Sequence, residues 1–175
     1  MGVTGAVVAL PASDLVRRRD ELASLLADAV EDNASVGFVL PVEQALLDAY
    51  WQSLEAEVRD GSRVVLAALD GDRIVGSVQL ACCTKPNQPH RADVQKLLVH
   101  RDARGRGIAG RLMEALERRA LEAGRWLLVL DTRSGSVADR LYRHWGWQTV
   151  GQIPDYALDP DGTLAACTFY WKRLA

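Results

Sequence analysis

The sequence contains no apolar run long enough to span a membrane, and no basic stretch precedes an apolar core near its N-terminus. Cysteine is scarce: three residues in 175, two of them adjacent, do not make a disulfide framework and suit a reducing cytoplasm. The net charge is only -2, so no overall field favours nucleic acid or an anionic membrane. We therefore expect a cytoplasmic protein that acts on neither.

Internal repeats, linkers and low-complexity tracts are also missing. The composition, 49% hydrophobic and 25% charged, is that of an ordinary globular protein. A length of 175 residues can bury a substantial core without disulfides or metals, so we expect residues 1–175 to form one domain. His100 and His144 lack the partner spacing of a zinc site, and we expect no metal.

The most informative stretch is Arg-Gly-Arg-Gly-Ile-Ala-Gly at 104–110. It lies between a predicted strand, 92–99, and an amphipathic helix with apolar residues at every fourth position. A buried strand at 126–130 follows, so the two strands should lie parallel in one sheet. Glycines let the backbone approach a ligand, and the helix start adds a partial positive charge. The stretch therefore predicts a phosphate site, which Arg104 and Arg106 would reinforce.

The remaining periodic segments supply the other elements of a sheet flanked by helices. Strands are predicted at 5–10, 63–69, 73–81, 149–157 and 164–172, and helices at about 13–31, from Pro41 to Gly61, and at 137–145. This order predicts an α/β (α+β) fold with a mixed, mostly antiparallel sheet and one parallel pair at the glycine-rich turn.

One family to which the turn could belong is the dinucleotide-binding enzymes. Gly105-x-Gly107-x-x-Gly110 matches their fingerprint, and Asp131 follows at about the spacing of a ribose-binding acid. However, five residues separate Val99 from Gly105, whereas a dinucleotide fold runs almost directly from strand to glycine. Too little chain follows Asp131 for the rest of a nucleotide domain and a substrate domain. A dinucleotide-dependent oxidoreductase is therefore the weaker alternative.

A second match is more specific. Leu-x-Val at 97–99 followed by Arg-x-x-Gly-x-Ala at 104–109 resembles motif A of the GNAT superfamily, the acetyl-CoA-dependent N-acetyltransferases. Ala-x-x-Leu-Tyr-x-x-x-Gly-Trp at 138–147 resembles that superfamily's short helix after the fifth strand. The two motifs stand in the family's order, and the resemblance covers roughly residues 62–172. It implies that the fourth and fifth strands splay apart to admit the cofactor's pantetheine arm.

The resemblance implies acetyl-CoA as co-substrate and places its phosphates on the glycine-rich turn. The implied cofactor contacts are Leu97, Leu98, Val99, Arg104, Gly105, Arg106, Gly107, Ile108 and Ala109. The sequence departs from the common pattern at Gly135, where many members carry asparagine. A polar contact to the cofactor arm is therefore either missing or supplied by Ser134 or Ser136.

Acyl transfer from a thioester to an amine requires a proton acceptor for the amine, a hydrogen-bond donor for the oxyanion and a proton for the thiolate. Tyr142 occupies the place of the family's general acid; the alternative is a tyrosine that anchors the short helix. Asp131 and Asp93 are candidate proton acceptors because aspartate is disfavoured in strands, and the sequence does not rank them. Either could instead bind the cationic amine or cap a turn.

The resemblance places the pantetheine arm and the thioester carbonyl near Leu98 and Val99, so it implies that a backbone N–H there is the oxyanion donor. Alternation along the fourth strand predicts that four side chains share one face, namely Asp93, Gln95, Leu97 and Val99. The loop at 32–38 and Trp51 are candidate acceptor contacts, with Trp51 as plain core the alternative.

The segment 147–170 is most similar to small-molecule acetyltransferases of the toxin- and antibiotic-resistance kind, tabtoxin resistance among them. The expected function is direct acetyl transfer from acetyl-CoA to a primary amine of a small molecule, such as an amino-acid-like toxin or antibiotic. The alternatives are a protein N-terminal or lysine acetyltransferase and a non-catalytic acyl-CoA sensor. The sequence leaves open whether the protein forms a homodimer, and it does not identify the acceptor.

Overall fold

A computed structural model describes residues 5–175, so residues 1–4 of the expected domain lie outside the described range. Within that range the strands form a sheet in the order β1-β2-β3-β4-β5-β7-β6. They are β1 (Val7–Ala9), β2 (Arg63–Asp70), β3 (Arg73–Cys82), β4 (Arg91–Val99), β5 (Leu127–Arg133), β6 (Gln148–Leu158) and β7 (Leu164–Arg173). β4 and β5 pair in parallel and the other described pairs are antiparallel. The predicted fold class is confirmed.

Helices cover both faces of this sheet. They are α1 (Ala12–Arg17), α2 (Arg19–Glu31), α3 (Gln44–Ser53), α4 (Glu55–Asp60), α5 (Ile108–Glu122) and α6 (Val137–His144). One hydrophobic cluster joins α5 and α6 to the sheet, and a second joins α2 and α3 to its opposite face. Trp51 is fully buried in the second cluster, so it is a core residue and not an acceptor contact.

Each of the first two predicted helices is broken into two. The segment at 13–31 is interrupted at Arg18, and the later one at Leu54. The later segment begins at Gln44, whose side chain donates to Asp48 at 2.9 Å, and not at Pro41, which lies in the preceding loop. A proline fixes φ at a value that suits a loop as well as a first helical turn, so it does not by itself start a helix.

β4 and β5 are paired only at their first residues. The parallel register ends where Asp93 lies opposite Val129. Beyond that point β4 continues along β3 and β5 continues along β7 to Arg133. The two strands therefore separate and leave a cleft in the middle of the sheet, as the family resemblance implied.

A β-bulge changes side-chain direction within β4. Ser77 lies opposite Leu98 and Gln79 opposite Gln95, so β4 has one extra residue between these pairs. Lys96 lies in the bulge with a φ of 51°. Ala92 and Val94 pack on the α5 side, and Leu97 and Val99 pack on that same side after the bulge. The prediction that Asp93, Gln95, Leu97 and Val99 share one face is wrong, because a bulge interrupts strict alternation.

Candidate functional site

The glycine-rich turn joins β4 to α5 through a short 3-10 turn at Arg101–Ala103. Gly105 and Gly107 adopt left-handed φ values of 74° and 72°, and Gly107 is the N-cap of α5. At either glycine, no described atom outside the glycine and its two chain neighbours lies within 4 Å of the position that a Cβ would take. The first N–H groups of α5 are therefore open to an anion at the positive end of the helix dipole.

The two arginines of the turn are held by acids from earlier parts of the chain. Arg104 forms an ion pair with Asp32 and donates through Nε to the carbonyl oxygen of Val99 at 3.1 Å. Arg106 pairs with Asp70 at 3.3 Å. Because these carboxylates already offset the arginine charges, the backbone N–H groups are the more available anion donors.

The other predicted cofactor contacts divide into buried and half-buried residues. Leu98 is 2% exposed and Ile108 is 3% exposed, so their side chains belong to the core and only their backbones could meet a cofactor. Leu97, Val99 and Ala109 are half-buried. The splay leaves the β5-facing edge of β4 unpaired along 94–99, which exposes backbone hydrogen-bonding groups to the cleft.

The loop before α6 uses its polar groups internally. Ser136 caps the helix by accepting from the backbone N–H of Asp139 at 3.0 Å, and Asp139 accepts from the N–H of Gly135 at 2.8 Å. Ser134 is hydrogen-bonded to the hydroxyl of Thr168 at 2.8 Å. The common family pattern has an asparagine at the position of Gly135. The hydroxyls of the two flanking serines are already hydrogen-bonded within the protein.

Tyr142 lies on the buried side of α6. Its ring packs against Trp145, Trp147 and Tyr170, with centroid separations of 5.9, 5.7 and 6.0 Å. Within the described chain its hydroxyl has no hydrogen-bond partner. Burial raises the pKa of Tyr142, and the negative charge of Asp131 raises it further, so the phenol stays protonated at neutral pH. The residue combines an anchoring ring with a free hydroxyl.

The two candidate proton acceptors have different surroundings. Arg91 donates to both carboxylate oxygens of Asp93, at 3.0 and 2.9 Å. Asp131 forms no ion pair with any described residue and opens onto the cleft. Partial loss of hydration raises the pKa of its carboxyl, the positive charge of Lys96 lowers it, and the negative charge of Asp93 raises it. Asp131 is the freer of the two.

The sequence did not single out Lys96, Tyr50 or Arg133, which also border the cleft. The ammonium of Lys96 lies 5.4 Å from the centroid of the Tyr50 ring. Burial lowers the pKa of Lys96, as does the charge of Arg63, whereas the charge of Asp131 raises it. The signal that could have identified Lys96 is a lysine that directly precedes the apolar residues at the end of β4.

Some types of functional feature are not seen in the described part of the chain. Between residues 5 and 175, no group of three or more histidine, cysteine or acidic side chains is placed to hold a metal ion. None of the described helices combines the length and apolar character needed to cross a membrane. His100 instead caps the 3-10 turn by accepting from the N–H of Asp102 at 3.3 Å.

Comparison with known proteins agrees with the geometry. Residues 60–149 match the family model described as an acetyltransferase (GNAT) domain. The chain is 28% identical over 129 residues, 73% of each protein, to an L-methionine sulfoximine/L-methionine sulfone acetyltransferase of Pseudomonas paraeruginosa. It is 30% identical over 138 residues to an uncharacterized N-acetyltransferase of Azospirillum brasilense, covering 77% of this chain and 80% of that one.

The fold is shared with solved acetyltransferases. One is the ribosomal-protein-alanine N-acetyltransferase of Brucella melitensis, with a TM-score of 0.79 and 24% identity over 97% of this chain and 99% of that one. At this identity the likeness concerns the fold alone. Together with the matching family model and the 30% identical relative, the chain belongs to the GNAT family, whose enzymes use acetyl-CoA as co-substrate, and is a GNAT-type acetyltransferase.

Proposed function

We propose that this enzyme transfers the acetyl group of acetyl-CoA directly to the primary amine of a small, amino-acid-like molecule. The observation that carries the proposal is the part of β5 freed from β4: it bears the carboxylate of Asp131, whose charge reaches the phenol of Tyr142. Asp131 is an unpaired carboxylate, and it lies near enough to Tyr142 for its charge to raise the pKa of the phenol. Asp131 and Tyr142 are thus the candidate proton acceptor and proton donor where the two strands separate.

The cofactor would lie along the cleft from the glycine-rich turn inward. Its phosphates would accept hydrogen bonds from the open N–H groups at the start of α5. Its pantetheine arm would pair with the free edge of β4 at 97–99, much as an added strand does. A backbone N–H near Leu98 or Val99 would donate to the thioester oxygen as it becomes an oxyanion.

The proposed reaction is a single displacement. The neutral amine attacks the thioester carbonyl carbon, the carbon–sulfur bond breaks, and the electron pair leaves on sulfur. The acceptor's ammonium loses one proton to solvent before the attack. Asp131 then takes the proton that the attacking nitrogen releases, and Tyr142 supplies a proton to the departing thiolate. Asp93 is less suited to the first role, because Arg91 already donates to both of its oxygens.

A small acceptor is supported by the loop that precedes α3. Gly37 approaches the ammonium of Lys96 on β4, and the N–H of Leu40 donates to the carbonyl oxygen of Pro160 in the β6–β7 turn at 2.7 Å. The loop therefore passes across the cleft from β4 to the far hairpin, where it would obstruct an extended peptide. The name of the methionine sulfoximine/methionine sulfone relative favours an acceptor of that kind over one specifically like tabtoxin.

Release of thiol from acetyl-CoA tests this function. The acceptors are L-methionine sulfone, L-methionine sulfoximine, an aminoglycoside and a peptide with an N-terminal alanine. We expect release to depend on the acceptor and to be fastest with the two amino-acid analogues. Fastest release with the peptide would favour a protein acetyltransferase. Tight acetyl-CoA binding without release for any acceptor would favour a sensor.

Replacing Gly107 tests the proposed phosphate site. Gly107→Val places a branched side chain at a left-handed φ of 72° and into the open surface of the turn. Left-handed backbone costs a non-glycine residue roughly 1–2 kcal/mol, and the bulk obstructs the ligand, so acetyl-CoA affinity should fall at least about tenfold. Calorimetric titration with acetyl-CoA measures the effect, and a parallel titration with NAD should show no useful binding.

Gly124→Val is the matched control. Gly124 has a φ of 70° and an equally open Cβ position, but it lies at the far end of α5. The control should lose stability as Gly107→Val does while it keeps wild-type acetyl-CoA affinity. Equal acetyl-CoA affinity in both variants and the wild type would remove Gly107 from the cofactor site.

A further inference from the structure

Lys96 is a cation without a counter-ion beside the proposed reaction centre. Among the described residues it forms no ion pair and no hydrogen bond through its ammonium. Its one close partner is the neutral ring of Tyr50, at 5.4 Å from the centroid. A cation–π contact of this kind contributes about 0.5–2 kcal/mol and does not neutralise the charge.

The position of Lys96 is built by several neighbours. The hydroxyl of Tyr50 donates to the side-chain oxygen of Gln79 at 3.0 Å, and Arg63 donates to the same oxygen at 2.9 Å, which fixes the ring beneath the ammonium. Gly37 lies on the other side: a Cβ added to this glycine would be 3.5 Å from the ammonium nitrogen of Lys96. The lysine is held between α3 and the crossing loop and is not a mobile surface group.

Lys96 and Asp131 carry opposite charges and face the same cleft. They do not bond to each other, yet each charge shifts the pKa of the other group. They lie on the two strands that separate, Lys96 on β4 and Asp131 on β5. Because these strands separate beyond Asp93 and Val129, a ligand lying between the two groups would match them if it carried one positive and one negative group close together.

We propose that Lys96 binds the carboxylate of a zwitterionic α-amino-acid acceptor whose amino group lies at Asp131. The inference rests on the proposed function and adds the residue that selects the acceptor class. An α-amino acid carries its amino and carboxylate groups on one carbon, so Lys96 would fix the amine against its proton acceptor. A carboxylate would also give Lys96 the charged partner that no residue from 5 to 175 supplies.

Arg133 is the other cation near Asp131, two residues further along β5. Its Nε donates to the carboxylate of Asp159 at 2.6 Å, and the Asp159 side chain is only 3% exposed. The charge of Arg133 is therefore already offset by a buried acid, whereas that of Lys96 is not. This difference favours Lys96 as the carboxylate-binding residue.

The test compares two acceptors that differ only in the carboxylate. The pair is L-methionine sulfone and its decarboxylated analogue, 3-(methylsulfonyl)propylamine. A charge-assisted hydrogen bond gained only by the acid predicts a kcat/KM roughly 10- to 100-fold higher for methionine sulfone with the wild-type enzyme. Lys96→Met should bring the ratio of the two values to within about threefold of one, and Lys96→Arg should retain much of the preference.

The controls separate recognition from chemistry and from folding. Lys85→Met removes the charge of a lysine in the exposed loop between β3 and β4, and it should keep the wild-type ratio. Far-ultraviolet circular dichroism and acetyl-CoA affinity establish that the variants are folded. Lys96→Gln replaces the methionine variant if that one does not fold.

Several outcomes would overturn the inference. They are a wild-type enzyme that acetylates amines without preferring the acid, a Lys96 variant that keeps the preference, and loss of the preference in Arg133→Met instead. An equal loss of rate on both acceptors would assign Lys96 to the chemistry. A wild-type enzyme that acetylates no amine at all rejects the proposed function, and the inference with it.

Discussion

Tyr142→Phe is expected to lower kcat for acetyl transfer by roughly 10²-fold, the usual contribution of one general acid, with little change in acetyl-CoA affinity. The variant keeps the ring that packs against Trp145, Trp147 and Tyr170 and removes only the hydroxyl. That hydroxyl has no hydrogen-bond partner within residues 5–175, so its loss should not lower the melting temperature. Steady-state kinetics and calorimetry measure the two effects separately.

Tyr170→Phe is the matched control for the loss of a phenol. The hydroxyl of Tyr170 donates to the carboxylate of Asp139, which also holds the loop before α6. Its removal leaves a buried carboxylate short of a donor and should destabilise the protein by about 1–3 kcal/mol while kcat changes little. Normal turnover in Tyr142→Phe would remove this hydroxyl from the mechanism. Joint loss of stability and activity there would assign Tyr142 an anchoring role.

Asp131→Asn is expected to lower kcat/KM by roughly 10²-fold or more at neutral pH, because it removes the proposed proton acceptor of the amine. Asp93→Asn should have a much smaller effect, since Arg91 already occupies that carboxylate. Each variant removes one negative charge. Comparing the two therefore controls for a general change in the electrostatic potential of the cleft. A larger loss in Asp93→Asn than in Asp131→Asn would reverse the assignment.

The pH dependence provides a second readout for Asp131. A proton acceptor works only when ionised, so kcat/KM should fall as the pH decreases through the pKa of Asp131. Partial burial raises that pKa, so this acidic limb should lie above the value of about 4 for an ordinary aspartate. The limb should disappear in Asp131→Asn and persist in Asp93→Asn. An unchanged limb in Asp131→Asn would assign the titration to another group.

Local sequence patterns were sufficient to predict most of the fold. The apolar stripe of α5, the glycines before it and the capped helix α6 each depend on residues that are close in the chain. The bulge at Lys96 could not be predicted, because it depends on how β4 aligns with β3. That single extra residue puts Asp93 on the opposite face of the sheet from Leu97 and Val99. Strict alternation predicts one shared face for all three.

The candidate site was less predictable because its electrostatics depend on distant partners. Arg104 is paired with Asp32 and Arg106 with Asp70, acids that stand 72 and 36 residues earlier in the chain. The sequence likewise offered Asp93 and Asp131 as equivalent acids. Only the folded chain shows that one is paired while the other is free.

The most direct measurement is a mass-spectrometric assay with acetyl-CoA that carries a deuterated acetyl group and L-methionine sulfone as acceptor. Direct transfer by this enzyme predicts one N-acetylated product, labelled with the deuterated acetyl group, for each CoA released. Tyr142→Phe and Asp131→Asn should slow both products equally. Release of CoA with unmodified acceptor, or no release in the presence of bound acetyl-CoA, would contradict the account.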